Sequence, residues 1–187
     1  MNPPNPRTPE PLDRESLRGI LFLCFFGALI GAKCALSEAL RLRLGFDVDS
    51  ALFIWLPSLV IGGAVAILYL LAPGSAFHPY WRSRQFLLPA GLVWLTGSFS
   101  IVRNLPSPFV VVALSAICAV AAFVLGRFQD STPVRFLAAV WFLGALAAAF
   151  LGPERSYFLF AFLLVAAGAI PSAVGYFRLR PPPAARG

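Results

Sequence analysis

The sequence predicts an all-α integral membrane protein, a compact bundle of six transmembrane helices joined by short loops. Three observations predict it. The chain is 59% hydrophobic and 12% charged with a mean hydropathy of +0.80, whereas an ordinary soluble domain is about one quarter charged. Across residues 85–126 the only charge is Arg103. At about 1.5 Å per residue and a hydrocarbon core of roughly 30 Å, that stretch holds two crossings and a turn between Asn104 and Pro108. In lipid each backbone N–H and C=O must be paired within the protein, and no run shows the alternation of barrel strands, so the crossings are helices.

The elements follow in order. Residues 1–16 hold five prolines among mixed charges and almost nothing apolar, a composition that cannot offset the entropy of ordering, so a disordered tail is expected. The transmembrane domain is expected over 17–177. Helix 1, about 17–40, carries Gly27-x-x-x-Gly31, where a neighbouring backbone can approach closely. On a wheel of about 100° per residue Glu38 falls about 20° from Gly27, on the same face, and Lys33 about 120° away, free to snorkel toward the interface. Helix 2, about 51–72, has Pro57 in its early turns, where a missing N–H is tolerated. Ser58, Gly62 and Ala66 form its small-residue seam. Pro73-Gly74 stops it, and His78, Tyr80, Trp81, Arg82 and Arg84 suit a headgroup-level anchor.

Helices 3 and 4, about 85–103 and 107–126, form the hairpin around Asn104. Helix 5 is expected over about 134–151. Helix 6, about 156–177, carries Gly168 on its small-residue face and Pro171 near a bend. The tail 178–187 contains Pro181-Pro182-Pro183 and is expected to be extended.

The net charge of +7 arises from Lys and Arg scattered through short loops and tails rather than gathered in a patch. This pattern points to membrane topology and anionic lipid headgroups, not to nucleic acid. With six spans, ten of the fifteen Lys and Arg fall on the side of the two tails. Both termini are therefore expected in the cytoplasm of a cell with this protein in its inner membrane. Cys24, Cys34 and Cys118 lie in apolar segments without Cys-x-x-Cys spacing and read as packing residues.

The chemistry is sparse. There is no Gly-x-Ser-x-Gly, no His-Glu-x-x-His, one histidine in all, and no acid in a helix middle, so neither a metal nor another cofactor is expected and catalysis is disfavoured. Thr96, Ser100 and Arg103 share one helical face that runs to Asn104. Together with Glu38 these residues are the candidate ligand site. Gly27, Gly31, Gly62 and Gly168 are the candidate packing positions. Glu38 has two readings: an interfacial acid paired with Arg41, or a partner for Arg103 across helices 1 and 3 in an outward-facing cavity. The functional expectation is binding or transport of a small solute at the non-cytoplasmic side, alone or in a complex. The second reading is a non-catalytic structural or assembly subunit of a larger membrane complex, with a membrane-protein partner or a second copy beside it. The third is an interfacial membrane enzyme. A cavity lined by Glu38, Thr96, Ser100 and Arg103 separates the first from the second.

Overall fold

A computed structural model describes residues 14–71, 96–128 and 131–179. The expected tails, apart from residues 14–16 and 178–179, the anchor around His78 and Trp81, and the beginning of helix 3 lie outside the described residues. Among those described, every element is helical. The helices are α1 (Arg14–Leu44), α2 (Leu56–Leu71, entered through a π-wound turn Ala51–Trp55), α3 (residues 96–104) and α4 (Ser107–Phe128). They continue with α5 (Thr132–Phe150) and α6 (Pro153–Leu163), which runs through a π segment, Leu164–Ala169, into α7 (Ile170–Arg178). Four stretches are long and apolar enough to cross a membrane: Leu17–Leu44, Ala51–Tyr69, Thr132–Phe150 and Pro153–Arg178.

The face of α1 that packs is made of small residues. Ala28, Ala32, Cys34, Ala35 and Ala39 are buried, and the α6–α7 helix runs antiparallel against them. Ala28 meets Gly168, where an added Cβ would lie 3.0 Å from the alanine methyl, and Gly31 meets Leu164 at 3.1 Å by the same measure. Leu21 fills the space beside Gly175. At one end of this pair the Arg18 guanidinium stacks 4.5 Å from the Tyr176 ring centroid and donates to its hydroxyl at 3.1 Å. At the other, here called the upper end, the buried Tyr157 lies near Arg41.

The expected packing positions divide. Gly31, Gly62 and Gly168 lie against Leu164, Ile30 and Ala28, whereas Gly27 is exposed with nothing within 4 Å of where a Cβ would stand. The wheel centred on Gly27 was rotated. The buried face is centred near Ala35, about 80° away, because alanine serves close approach nearly as well as glycine and α1 has more of it there.

Both π segments end two residues before a proline, Pro57 and Pro171. A proline inside a helix lacks an N–H and crowds the carbonyl four residues back, and widening the preceding turn relieves that crowding. Around this frame, α4 and α5 form an antiparallel hairpin in which Gly126 lies against the backbone of Arg135. Trp141 of α5 meets Phe160 of α6 edge-on at 6.0 Å.

Replacing Gly31 with Leu forces a side chain into Leu164 and should lower stability by about 1–3 kcal/mol. Gly27→Leu should leave it unchanged. Thermal unfolding of the two variants in detergent checks this, and equal losses would contradict the rotated face.

Candidate functional site

The upper end holds Glu38 and Arg103 in separate pairs, and it is built from the end of α1. Gly45, at φ +70°, ends the helix: its N–H donates to the Leu42 carbonyl at 3.4 Å and the Phe46 N–H to the Arg41 carbonyl at 3.1 Å. That pattern of bonds around a left-handed glycine reverses the chain. Three residues apart on α1, Glu38 and Arg41 share a face. Nε of Arg41 lies 3.2 Å from each Glu38 carboxylate oxygen, Nη2 lies 2.7 Å from Oε1, and Nη1 donates to the Phe46 carbonyl at 3.0 Å. Glu38 is 1% exposed. All three guanidinium nitrogens are thus engaged, as burial of an ion pair requires if its desolvation is to be offset.

The next residues build a second pair. Asp49 precedes the π-wound turn of α2, and its Oδ1 accepts from the Leu52 N–H at 3.3 Å, the role of a cap for otherwise unpaired helix-start donors. Its Oδ2 accepts from Nη1 of Arg103, the last charge of α3. The Arg103 guanidinium holds the Asp49 carboxyl below the usual carboxylate range, with the Leu52 and Ala51 N–H groups acting in the same direction.

The expected Glu38–Arg103 pair is therefore replaced by two others. Glu38 pairs locally with Arg41, and Arg103 reaches the loop ahead of α2. Asn104 turns back on its own helix, its Nδ2 donating to the Ser100 carbonyl at 2.9 Å. Thr96, Ser100, Arg103 and Asn104 are all exposed, while Ser98, on the other side of α3, is buried. The polar face of α3 thus turns away from the packed interior instead of lining it. A cavity of about 290 Å³ at this end is lined by Gly152, Pro153, Glu154 and Arg155, none of them a predicted site residue. Among the described residues no three His, Cys, Asp or Glu side chains converge as a metal site would need.

Three features escaped the sequence. Asp49 followed by Ser50 and an apolar run is a helix-start signal, which would have marked it as fixed in place. Ser156, fully buried, has its Oγ within 3.2 Å of the carbonyls of Ala148, Leu151 and Gly152 and ties the α5–α6 turn together; no local pattern announces it. Lys33 hydrogen-bonds Ser58 across α1 and α2 at 3.1 Å, a pairing visible only once the two helices are set side by side.

Two outcomes are expected. Glu38→Ala leaves a half-buried guanidinium without its carboxylate and should cost roughly 1–3 kcal/mol, read as a lowered melting temperature. For Asp49 the folded-state pKa is depressed, so its contribution is complete above the unfolded value, about 3.9, and disappears as pH falls through the folded value. Asp49→Asn should therefore melt below wild type at pH 7, and the two should converge only below about pH 4. Convergence already at pH 6 would contradict the pair.

The chain matches no family model, no curated protein and no solved structure.

Proposed function

We propose that this chain is a six-span inner-membrane protein with both termini in the cytoplasm, acting as a non-catalytic structural or assembly subunit of a larger membrane complex. One observation carries the reading. The charges of the upper end that would have to receive a solute are engaged with each other: Glu38 with Arg41, and Arg103 with Asp49. Each guanidinium nitrogen of Arg41 already donates within the chain, Nε and Nη2 to Glu38 and Nη1 to the Phe46 carbonyl. Among the described residues, a cavity at that end is lined by Gly152, Pro153, Glu154 and Arg155 and not by Glu38, Thr96, Ser100, Arg103 or Asn104.

The lateral surface supports the same reading. Phe53, Phe109, Phe136, Phe142, Phe150 and Phe162 are exposed on the sides of the helices, which suits lipid and neighbouring membrane helices and nothing aqueous. Embedding is supported by the four long apolar helices and by α4, which has 22 residues. The sixth crossing rests on residues 85–104 of the sequence. An even number of crossings puts both tails on one side, and the excess of Lys and Arg on that side assigns it to the cytoplasm.

Two measurements test the proposal. On a background without Cys24, Cys34 and Cys118, Asp47→Cys should react with a membrane-impermeant maleimide from outside intact cells, and Ser131→Cys only after permeabilisation. The reverse would overturn the topology. In detergent, a panel of amino acids, carboxylates and phosphate esters should not raise the melting temperature, although a ligand at about 100 times its Kd would add roughly 2.7 kcal/mol. Stabilisation by one of them that Arg103→Ala abolishes would replace this reading with solute binding.

A further inference from the structure

Lys33 stands on the exposed side of α1, on the same stripe as the exposed Leu29, Leu36 and Leu40. Its Nζ reaches sideways to Oγ of Ser58 on α2, and that hydroxyl donates in turn to the Ile54 carbonyl at 2.8 Å. Both partners have a fixed depth. Lys33 is about 12 Å along α1 from Arg41, and Ser58 is about 12 Å along the α2 helix from Ser50. An ammonium held there lies well below the level of Arg41 and Asp49. Lipid phosphates belong at that higher level, outside the hydrocarbon core. A cation at the depth of Lys33 is costly without a counter-charge, and Ser58 supplies a lone pair but no charge.

Among the described residues no acid supplies the missing charge. The chain has eight acids. Glu38 and Asp49 are engaged by Arg41 and Arg103, and Asp47 and Glu154 belong to the upper turns. Glu15 is about 27 Å along α1 from Lys33. Glu10 and Asp13 precede α1 in sequence, and Asp130 separates the α4 and α5 segments. A second copy brings the same acids, and among the described residues the one that lies more than a turn inside an apolar helix, Glu38, is buried against its own Arg41.

We infer that the Lys33–Ser58 seam is where a helix of a different membrane protein docks, through an aspartate or glutamate set about 12 Å inside the bilayer. The exposed leucines on either side of Lys33 supply the apolar contact, and the carboxylate completes a charge-assisted bond that Ser58 already orients. The inference rests on the assembly reading above and names the partner's chemistry.

Its test uses the full chain, donor-labelled, in phosphatidylcholine vesicles. The probe is an acceptor-labelled Leu/Ala transmembrane helix with a single Glu about 12 Å from its outer end, or its Gln twin. The Glu helix should associate roughly tenfold more tightly than the Gln helix. Lys33→Met should remove the difference and Lys33→Arg should keep it; Lys33→Gln serves if the Met variant does not fold. Equal association of both helices with wild type overturns the inference, as does a Glu preference that survives Lys33→Met. Donor–acceptor pairs of the chain itself that associate through Lys33 would assign the seam to a second copy and overturn it too. Lys33-dependent binding of phosphatidylglycerol in place of the Glu helix would assign it to lipid and do the same. Complex size after mild detergent extraction separates the two readings. A complex that Lys33→Met leaves intact removes Lys33 while the assembly reading stands, and a wild-type chain extracted alone removes the assembly reading itself.

Discussion

Close approach between α1 and the α6–α7 helix is the contact on which the rest of this structure hangs. In lipid, where the proposed function would place this bundle, two apolar helices would gain nothing by hiding from solvent, because the solvent would be as apolar as they are. What remains is dispersion, which falls off steeply with distance and therefore rewards backbones that can touch. Ala28, Gly31, Ala32, Ala35 and Ala39 give α1 such a face, and Gly168 and Gly175 give the partner helix its own. Large side chains surround this contact on both sides: Trp141, Tyr157, Phe160, Leu163 and Leu164 are buried, whereas Phe53, Phe109, Phe136, Phe142 and Phe162 are exposed.

The prolines act on the same frame. Pro57 and Pro171 each cost their helix a hydrogen bond, and in each case the chain takes up the strain as a π-wound stretch just before the ring. Each is followed by a buried serine, Ser58 or Ser172. The hydroxyl of Ser58 returns a hydrogen bond to a carbonyl of the disturbed turn, at Ile54. The same hydroxyl is left able to accept from Lys33, so a backbone defect in α2 fixes the position of a cation on α1.

Much of this was legible in the residues, and the limits have physical causes. Helix positions follow from hydropathy, and α5, expected over about 134–151, is found at Thr132–Phe150. The Glu38–Arg41 pair is a local relation three residues apart and was one of the two readings available. Arg103 and Asp49 are 54 residues apart, and nothing in a one-dimensional pattern selects that acid over Glu38. The rotation of α1 was missed for a different reason. On α1 the wheel is set by the Gly27-x-x-x-Gly31 pair, yet alanine permits the approach as well, and the alanines lie about 80° round the wheel. The buried role of Ser156 depends on a turn geometry that composition does not specify.

A face of small residues has a weakness of its own, and the polar fixtures at its ends answer it. Alanines at positions 28, 32, 35 and 39 repeat at nearly the period of the helix, so sliding α1 by one turn, about 5.4 Å, would re-form similar contacts with α6 and α7. Dispersion alone therefore discriminates weakly between registers. Directional bonds discriminate strongly, because a slip leaves buried donors and charges unmatched. At the lower end Arg18 is fixed to the ring and hydroxyl of Tyr176; at the upper end Glu38 and Arg41 are packed beside Tyr157. Along α1 the two fixtures are separated by roughly 35 Å, about the thickness of a bilayer core. A slip in either direction would part Arg18 from Tyr176 and carry Arg41 away from Tyr157. The Glu38–Arg41 pair, internal to α1, would move intact with that helix; the directional bond that crosses between the helices, from Arg18 to Tyr176, is therefore what bears on the choice of one register among several of nearly equal packing energy.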